Sequence, residues 1–370
     1  MSLFTKQDHD YMSHAIALAK RGMYTTTPNP NVGCVIVKDG EIVGEGAHLK
    51  AGEGHAEVHA LKQAGAKAAG ATAYVTLEPC SHYGRTPPCA KGLIDAGVSK
   101  VIAAMVDPNP QVAGRGLAML EAAGIETAFG LLAQQAKALN KGFLKRMEHD
   151  MPFVTCKLAA SLDGKTALNN GESKWITSAA ARLDVQRHRA QSCVVLTGAD
   201  TVIADSARLN VREEFLEHTD YPQPQLRQPV RAVIDSQNRL TPDLALFNIE
   251  APVIIFRRTI DNSKQWPHFV EQIVVPEAHG KLDLHAVLSK LAEKQYNQVW
   301  LEAGATLAGV MHELGLIDEY IVYLAPKIIG AGRGLFNTTA LSTMSQIPEL
   351  IFDDISQVGP DLKITATKEK

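Results

Sequence analysis

Cysteine is scarce in this chain. Five in 370 residues, an odd number, exclude a disulfide framework and fit a reducing compartment. No apolar run approaches the length of a membrane span. The first turn carries Lys6, Asp8, His9 and Asp10 where a secretory signal would place its apolar stretch. The chain is therefore expected in the cytoplasm, with no membrane partner. Positive charge is not in excess either: the formal net charge is −3, so the basic footprint of a nucleic-acid binder is missing and no nucleic-acid partner is expected. Internal repeats, low-complexity tracts and long charged runs are absent. A Rossmann fingerprint is also lacking. Gly330-Ala331-Gly332-Arg333-Gly334 brings its third glycine one position too early, and no acidic ribose partner follows at the right distance.

What is present is an ordinary globular composition, 45% hydrophobic and 21% charged, on a chain long enough for two or three domains. Apolar periodicity predicts a helix over residues 8–21, and Thr27-Pro28-Asn29-Pro30-Asn31 then interrupts regular structure. Two strands, 32–37 and 41–45, flank the hairpin signal Asp39-Gly40. A helix from about His55 to Gly65 places His55 and Glu57 in its first turn. Strands at 72–77 and 98–106, helices at 89–96 and 117–123, and a short strand around Ile125 follow. A single closing helix is expected over 131–145. This alternation predicts an α/β sandwich with a largely parallel sheet. His149-Asp150-Met151-Pro152 is the best boundary, giving domains 1–149 and 150–370.

A second α/β pattern opens at residues 153–158, with Thr177 as the cap of a helix to about Ala190. Strands are expected at 194–197, 230–234, 253–256, 273–275, 299–302 and 320–324, a helix at 284–294, and a polar loop over 213–228.

Chemistry concentrates in the first half. His55 and Cys80 with Cys89 can supply three zinc ligands, leaving a fourth position for water. Glu57, two residues after His55, is free to act as general acid and base, the layout of a zinc-dependent nucleobase deaminase. A lone His-x-Glu or a pair of buried cysteines is common by chance, but here each residue falls at a strand end or helix start. His82 is the one rival ligand, and its Ser-x-Tyr-Gly loop better suits a substrate contact.

Nucleobase deaminases usually separate their two cysteines by two residues; here eight intervene. That long form, with Pro28-Asn29-Pro30-x-Val32-Gly33 and Asp107-Pro108-Asn109-Pro110, resembles the deaminase half of the bifunctional riboflavin-biosynthesis deaminase/reductase family. The resemblance implies one Zn2+ in a cytidine-deaminase-like domain. It also implies deamination at C2 of 2,5-diamino-6-ribosylamino-4(3H)-pyrimidinone 5′-phosphate. Asn29 and His48 match substrate contacts, Arg85 a basic residue near the phosphate or ribose, and Asp107 and Asn109 residues that hold the ribose phosphate. A guanidinium at Arg85 suits a dianionic tail. Turn chemistry between prolines is the plainer reading of Asn29 and Asn109.

Four stretches of the second half resemble the reductase half of the same family: residues 157–165, Ser173-Lys174-Trp175-Ile176-Thr177, Gly198-Ala199-Asp200-Thr201-Val202 and residues 301–306. The resemblance implies a dihydrofolate-reductase-like domain that uses NADPH to open the ribose to a ribityl chain by hydride delivery to C1′. It places Ala159, Trp175, Thr201, Asp205, Ser236 and Gly304 with Ala305 and Thr306 around the dinucleotide, beside Glu302. Ser173, Arg189, Leu209 and Arg212 match positions that touch the substrate or its phosphate. Lys157 and Glu302 end buried strands, a costly location unless paired or functional. They are expected to protonate or orient the opened ribosylamine, a structural ion pair being the alternative. Ala303-Gly304-Ala305-Thr306 fits a strand-to-helix turn whose amides meet a pyrophosphate.

The fold class expected is α/β, two three-layer α/β/α domains, acting on a small phosphorylated pyrimidine and, as the family usually does, as a homo-oligomer (dimer or tetramer). Two other readings stand beside it. One is a tRNA or free-base deaminase fused to an unrelated domain, disfavoured by the weak acidity and the lack of a basic, aromatic stripe. The other is a non-catalytic module on a deaminase fold, disfavoured by Glu57, which a pseudoenzyme does not need.

Overall fold

The computed structural model describes residues 4–82, 87–110 and 112–368. The chain forms two compact units, Met1–Asp150 with Asp220–Gln225, and Met151–Thr219 with Leu226–Lys370.

In the first unit, α1 (Lys6–Ala19) precedes the hairpin β1 (Gly33–Lys38) and β2 (Glu41–Ala47). The turn residues Asp39 and Gly40 both take positive φ, 51° and 82°, as a tight two-residue hairpin requires. Then come α2 (Ala56–Ala64), β3 (Thr72–Val75), α3 (Cys89–Asp95), β4 (Lys100–Ala103), α4 (Arg115–Ala122) and β5 (Glu126–Phe129). The strands order as β2-β1-β3-β4-β5. β1 runs antiparallel to both β2 and β3, whereas β3, β4 and β5 run parallel. The sheet is thus mixed rather than largely parallel, because the β1–β2 connection is a hairpin and not a crossover.

Alternation along each strand builds three layers. Cys34, Ile36, Ala73, Val75, Val101 and Ala103 pack against α2, α3 and α4. Val35, Val37, Tyr74 and Ile102 face α1 and the C-terminal helices. The strands expected at 72–77 and 98–106 are shorter, since Leu77 and Met105 already belong to the loops that leave the sheet. The single helix expected over 131–145 is two, α5 (Ala133–Leu139) and α6 (Lys141–His149), broken at Asn140. The cause is long-range: the Asn140 amide oxygen accepts from the Asn31 backbone N–H at 2.7 Å, and its Nδ2 donates to the Asn31 carbonyl at 3.0 Å.

The second unit contains β6 (Phe153–Ser161), β7 (Lys165–Leu168), α7 (Ala179–Gln191), β8 (Val194–Gly198), α8 (Ala199–Asp205), β9 (Val230–Ile234), β10 (Val253–Arg257) and β11 (Val270–Val274). After the two-residue strands β12 (Glu277–Ala278) and β13 (Lys281–Leu282) come α9 (Leu284–Glu293), β14 (Gln298–Glu302), α10 (Ala305–Glu313) and β15 (Glu319–Ala325). The chain ends with β16 (Gly332–Gly334), β17 (Leu350–Val358) and β18 (Asp361–Lys368). The main sheet orders as β11-β10-β9-β8-β14-β6-β15-β18-β17, antiparallel only where β15, β18 and β17 pair. One face packs on α9 and α10, the other on α7 and α8.

Ser178, not Thr177, caps α7: its Oγ accepts from the Ala181 N–H at 3.2 Å. The polar stretch 213–228 contains a short 3-10 helix, Glu213–His218, around the buried Phe215. Residues 330–334 hold no dinucleotide loop; β16 pairs with β7.

Candidate active sites

His55 is the cap residue before α2, with extended backbone (φ −73°, ψ 166°), so its ring leaves the helix axis while Glu57 sits at the second helical position. Cys80 follows the end of β3 and Cys89 opens α3. These three elements bring one ligand atom each, the His55 Nδ1 and the two Sγ atoms, within 4.8 Å of one another. The Nδ1 lies 3.3 Å from Cys89 Sγ and 3.7 Å from Cys80 Sγ. Tetrahedral zinc with its usual bond lengths sets such nitrogen and sulfur ligands about 3.5 Å apart. The donor set and spacing therefore fit a zinc ion with one coordination position left over.

Glu57 is 3% exposed. Burial raises its carboxyl pKa, against the opposing pull of His55. His48 is buried beside this cluster, its ring edge-on to that of His55 at 5.3 Å. Its Nδ1 hydrogen-bonds with the Gly54 carbonyl at 3.0 Å and its Nε2 meets the Asn29 side-chain amide at 3.0 Å. Asn29, His48 and the His55–Glu57 pair are thus drawn together from three separate stretches. Asp107 is buried, and its Oδ1 accepts the Asn109 N–H at 2.8 Å. Burial pushes its pKa up to about 6 despite that bond. His82 is exposed and contributes no ligand to the cluster. Arg85 lies outside the described residues.

One residue not singled out from the sequence stands at the centre of this half. Glu78 is 3% exposed and accepts four backbone N–H groups, from Asp107, Gly114, Gly116 and Leu117, at 2.8 to 3.3 Å. A carboxylate at the end of a buried strand was the available signal.

In the second unit, Glu302 ends β14 and lies in register with Lys157 on β6. Arg189, near the end of α7, grips the Glu302 carboxylate with two prongs, Nε at 2.5 Å and Nη2 at 2.8 Å. Its Nη1 donates to the Asn210 carbonyl. Trp300, two residues before Glu302 on the same face, donates its indole N–H to Oε1 at 2.8 Å and stacks on His188 at 4.7 Å. Burial opposes the charge on Glu302, but Arg189, Lys157 and Trp300 outweigh it and hold the carboxyl at about 2. Burial lowers Lys157, whereas Glu302 leaves Arg189 above its ordinary value. The ion pair here joins Glu302 to Arg189, with Lys157 as a second cation beside it. Trp300 was likewise missed from the sequence.

The remaining expected residues sit at or near the carboxyl ends of the parallel strands. Ala159 is on β6, Thr201 and Asp205 are on α8, and Ser236 is in the turn after β9. Ser173 and Trp175 lie between β7 and α7; Trp175 is 63% exposed, with the Arg182 guanidinium 4.4 Å from its ring centre. Leu209 is buried with φ 56°, and the Arg212 N–H is held by Gln186. Gly304 caps α10, followed by Ala305 and Thr306. At φ −69° its backbone does not require glycine, and a methyl added there would meet nothing within 4 Å. That open space before a helix start fits a dinucleotide phosphate approaching the amides.

Comparisons with known proteins agree on both halves. Residues 5–105 match the family model described as cytidine and deoxycytidylate deaminase zinc-binding region, and residues 152–364 match the RibD C-terminal domain. The riboflavin biosynthesis protein RibD of Escherichia coli (strain K12) is 56% identical over 361 residues, 96% of this chain and 98% of that one. Among solved structures, Acinetobacter baumannii RibD superposes with a TM-score of 0.90 at 45% identity, over 99% of both chains. A diaminohydroxyphosphoribosylaminopyrimidine deaminase/5-amino-6-(5-phosphoribosylamino)uracil reductase from Thermotoga maritima gives 0.87 at 32%, over 98% of this chain and 99% of that one. With a deaminase-type zinc region and a RibD reductase region along nearly the whole length of such relatives, the chain belongs to the RibD family of bifunctional riboflavin biosynthesis proteins.

Proposed function

We propose that the two constellations are the two active sites of this enzyme, with the deaminase in residues 1–149 and the reductase in 150–370. The chain carries out two consecutive steps of riboflavin biosynthesis. The first is hydrolytic deamination at C2 of the diaminopyrimidine ribosylamine 5′-phosphate; the second reduces the ribosyl group to a ribityl chain. It uses zinc and NADPH. The observation that carries the reading is the convergence of His55, Cys80 and Cys89 beside the buried Glu57.

His55, Cys80 and Cys89 would hold the zinc ion, which when bound would supply the Lewis acidity that makes water nucleophilic near neutral pH. Glu57 takes a proton as water adds to C2, and delivers one to the nitrogen that leaves as ammonia. Its buried carboxyl, with pKa raised, suits it to receive that proton. Asn29 and His48 orient the pyrimidine, while Asp107, Asn109, His82 and Arg85 hold the ribose phosphate side.

NADPH, when bound, would supply the hydride for C1′. Gly304, Ala305 and Thr306 offer the α10 amides to its phosphates, with Ala159, Trp175, Thr201, Asp205 and Ser236 completing the dinucleotide site. Lys157 is the proton donor or hydrogen-bonding cation at the opened ribosylamine. Glu302, ionised and pinned by Arg189, orients rather than protonates. Ser173, Leu209, Arg212 and the free N–H groups of Arg189 face the phosphorylated intermediate.

No helix among the described residues is long and apolar enough to cross a membrane; the proposed cytoplasmic location rests on the few, odd-numbered cysteines. A homo-oligomer is favoured by β17, an edge strand with Ile351, Phe352 and Ile355 exposed at 48%, 64% and 56%. Sedimentation of the full chain checks it.

The deciding experiment supplies the diaminopyrimidine phosphate to purified, zinc-loaded protein with and without NADPH. Ammonia release without NADPH, and NADPH oxidation only after deamination, are expected. Deamination with no NADPH oxidation under any condition would leave the second half without its assigned role.

A further inference from the structure

Glu78 supplies no ligand to the metal cluster, yet its side chain and backbone tie together three parts of the first unit around it. It stands between β3 and the Pro79-Cys80 turn that delivers one metal ligand. Its Oε2 accepts the N–H of Asp107 at 3.1 Å and of Gly114 at 2.9 Å. Its Oε1 accepts the N–H of Gly116 at 2.8 Å and of Leu117 at 3.3 Å. Gly114 caps α4, so this buried carboxylate satisfies amides that a helix start leaves without partners, where negative charge is also favoured. The packing is tight on the same side: a Cβ on Gly116 would come within 1.9 Å of the Pro79 carbonyl oxygen. From the other end, the Glu78 N–H donates to the Met105 carbonyl at 2.9 Å, which fixes the strand leading into Asp107. Asp107 in turn holds the Asn109 N–H.

We propose that Glu78 is a positioning residue for deamination: it sets the Asp107–Asn109 loop and the start of α4 at a fixed distance from the Cys80 turn, and so from the reacting centre. The inference rests on the reading above in which Asp107 and Asn109 hold the ribose phosphate. No second protein group shares this task among the described contacts of the Asp107 and Gly114 amides. A neutral amide of the same shape cannot replace the carboxylate, because its NH2 end would face two backbone donors and one edge of the junction would open.

The test uses the full chain, with reduction of the deaminated intermediate as an internal control for folding. Glu78→Gln is expected to raise the deaminase KM by about ten-fold or more, as a misplaced substrate loop should. One zinc per chain and unchanged reductase kinetics are expected alongside. Gly116→Ala, which pushes the same junction apart from the helix side, is expected to give the same KM signature. Asp107→Ala should raise KM by itself, and adding Glu78→Gln to it should cost little more, because both act on one loop. Multiplicative effects of the two changes, a KM within two-fold of the parent in both Glu78→Gln and Gly116→Ala, or zinc lost in step with activity would each overturn the proposal. If Asp107→Ala leaves KM unchanged while Glu78→Gln raises it, the reading of the Asp107 loop is what fails.

Discussion

Arg189 and Glu302 form a two-pronged ion pair, Nε to Oε1 at 2.5 Å and Nη2 to Oε2 at 2.8 Å, with both side chains only 14% exposed. This geometry keeps the carboxylate charged, with Lys157 in register on the neighbouring strand. Glu302 holds its carboxyl at about 2, below the roughly 4.3 of an unfolded glutamate. Its contribution to stability is therefore complete above about pH 4.3 and is lost as pH falls through about 2. Acid unfolding of the Glu302→Gln chain should lack that part of the slope. Near pH 7, breaking the buried pair should cost about 3–5 kcal/mol. Equal pH dependence in both chains, followed by circular dichroism, would contradict the pairing.

Trp300 adds a neutral donor to the same carboxylate. Trp300→Phe keeps an aromatic ring beside His188 and removes the N–H together with the rest of the indole's second ring. The reductase kcat should fall several-fold, with NADPH affinity and deamination unchanged; a change confined to NADPH binding would place Trp300 on the cofactor side.

Gly304 offers a clean probe of the proposed dinucleotide site, because neither its φ nor its surroundings demand glycine. Gly304→Ala should leave the melting temperature unchanged and weaken NADPH binding by about ten-fold. Fluorescence titration with NADPH measures this, and undiminished affinity would remove Gly304 from the phosphate site.

The proposed roles of the zinc ligands and of Glu57 should separate by mutation. Cys89→Ala should lose metal and deamination together. Glu57→Gln should keep one zinc per chain yet lose deamination by about 10²-fold or more. Reduction of the deaminated intermediate should persist in both, and metal analysis beside the two assays gives the answer.

Asn140 joins residues 109 positions apart through two hydrogen bonds to the Asn31 backbone, while the Asn31 side chain donates to the Leu139 carbonyl. Asn140→Ala should destabilise the first unit by about 1–3 kcal/mol, since it leaves partly buried Asn31 backbone groups without these bonds. Denaturant unfolding reads that loss; a change under 0.5 kcal/mol, about the scatter of surface substitutions, would deny the link its structural weight.

The sequence alone determined the chemistry-bearing residues of the first half. His55, Glu57, Cys80 and Cys89 carry side chains whose types and spacing have few other uses together, and local signals such as Asp39-Gly40 fixed the turns around them. Strand and helix alternation was equally local, so most elements were legible to within a few residues. What only tertiary structure decided are the partnerships. Asn140 looks like one more helical residue until Asn31 reaches it, and β17 and β18 leave no strong local mark because they pair at an edge with little burial. Glu78 and Trp300 read as an ordinary strand end and a core aromatic. Their roles come from backbone amides and a carboxylate brought to them by distant segments, and sequence spacing cannot encode which donor a buried carboxylate will meet. The zinc motif was therefore readable as a ligand set, whereas the hydrogen bonds that tie Asp107 and the start of α4 to Glu78 were visible only once the chain had folded.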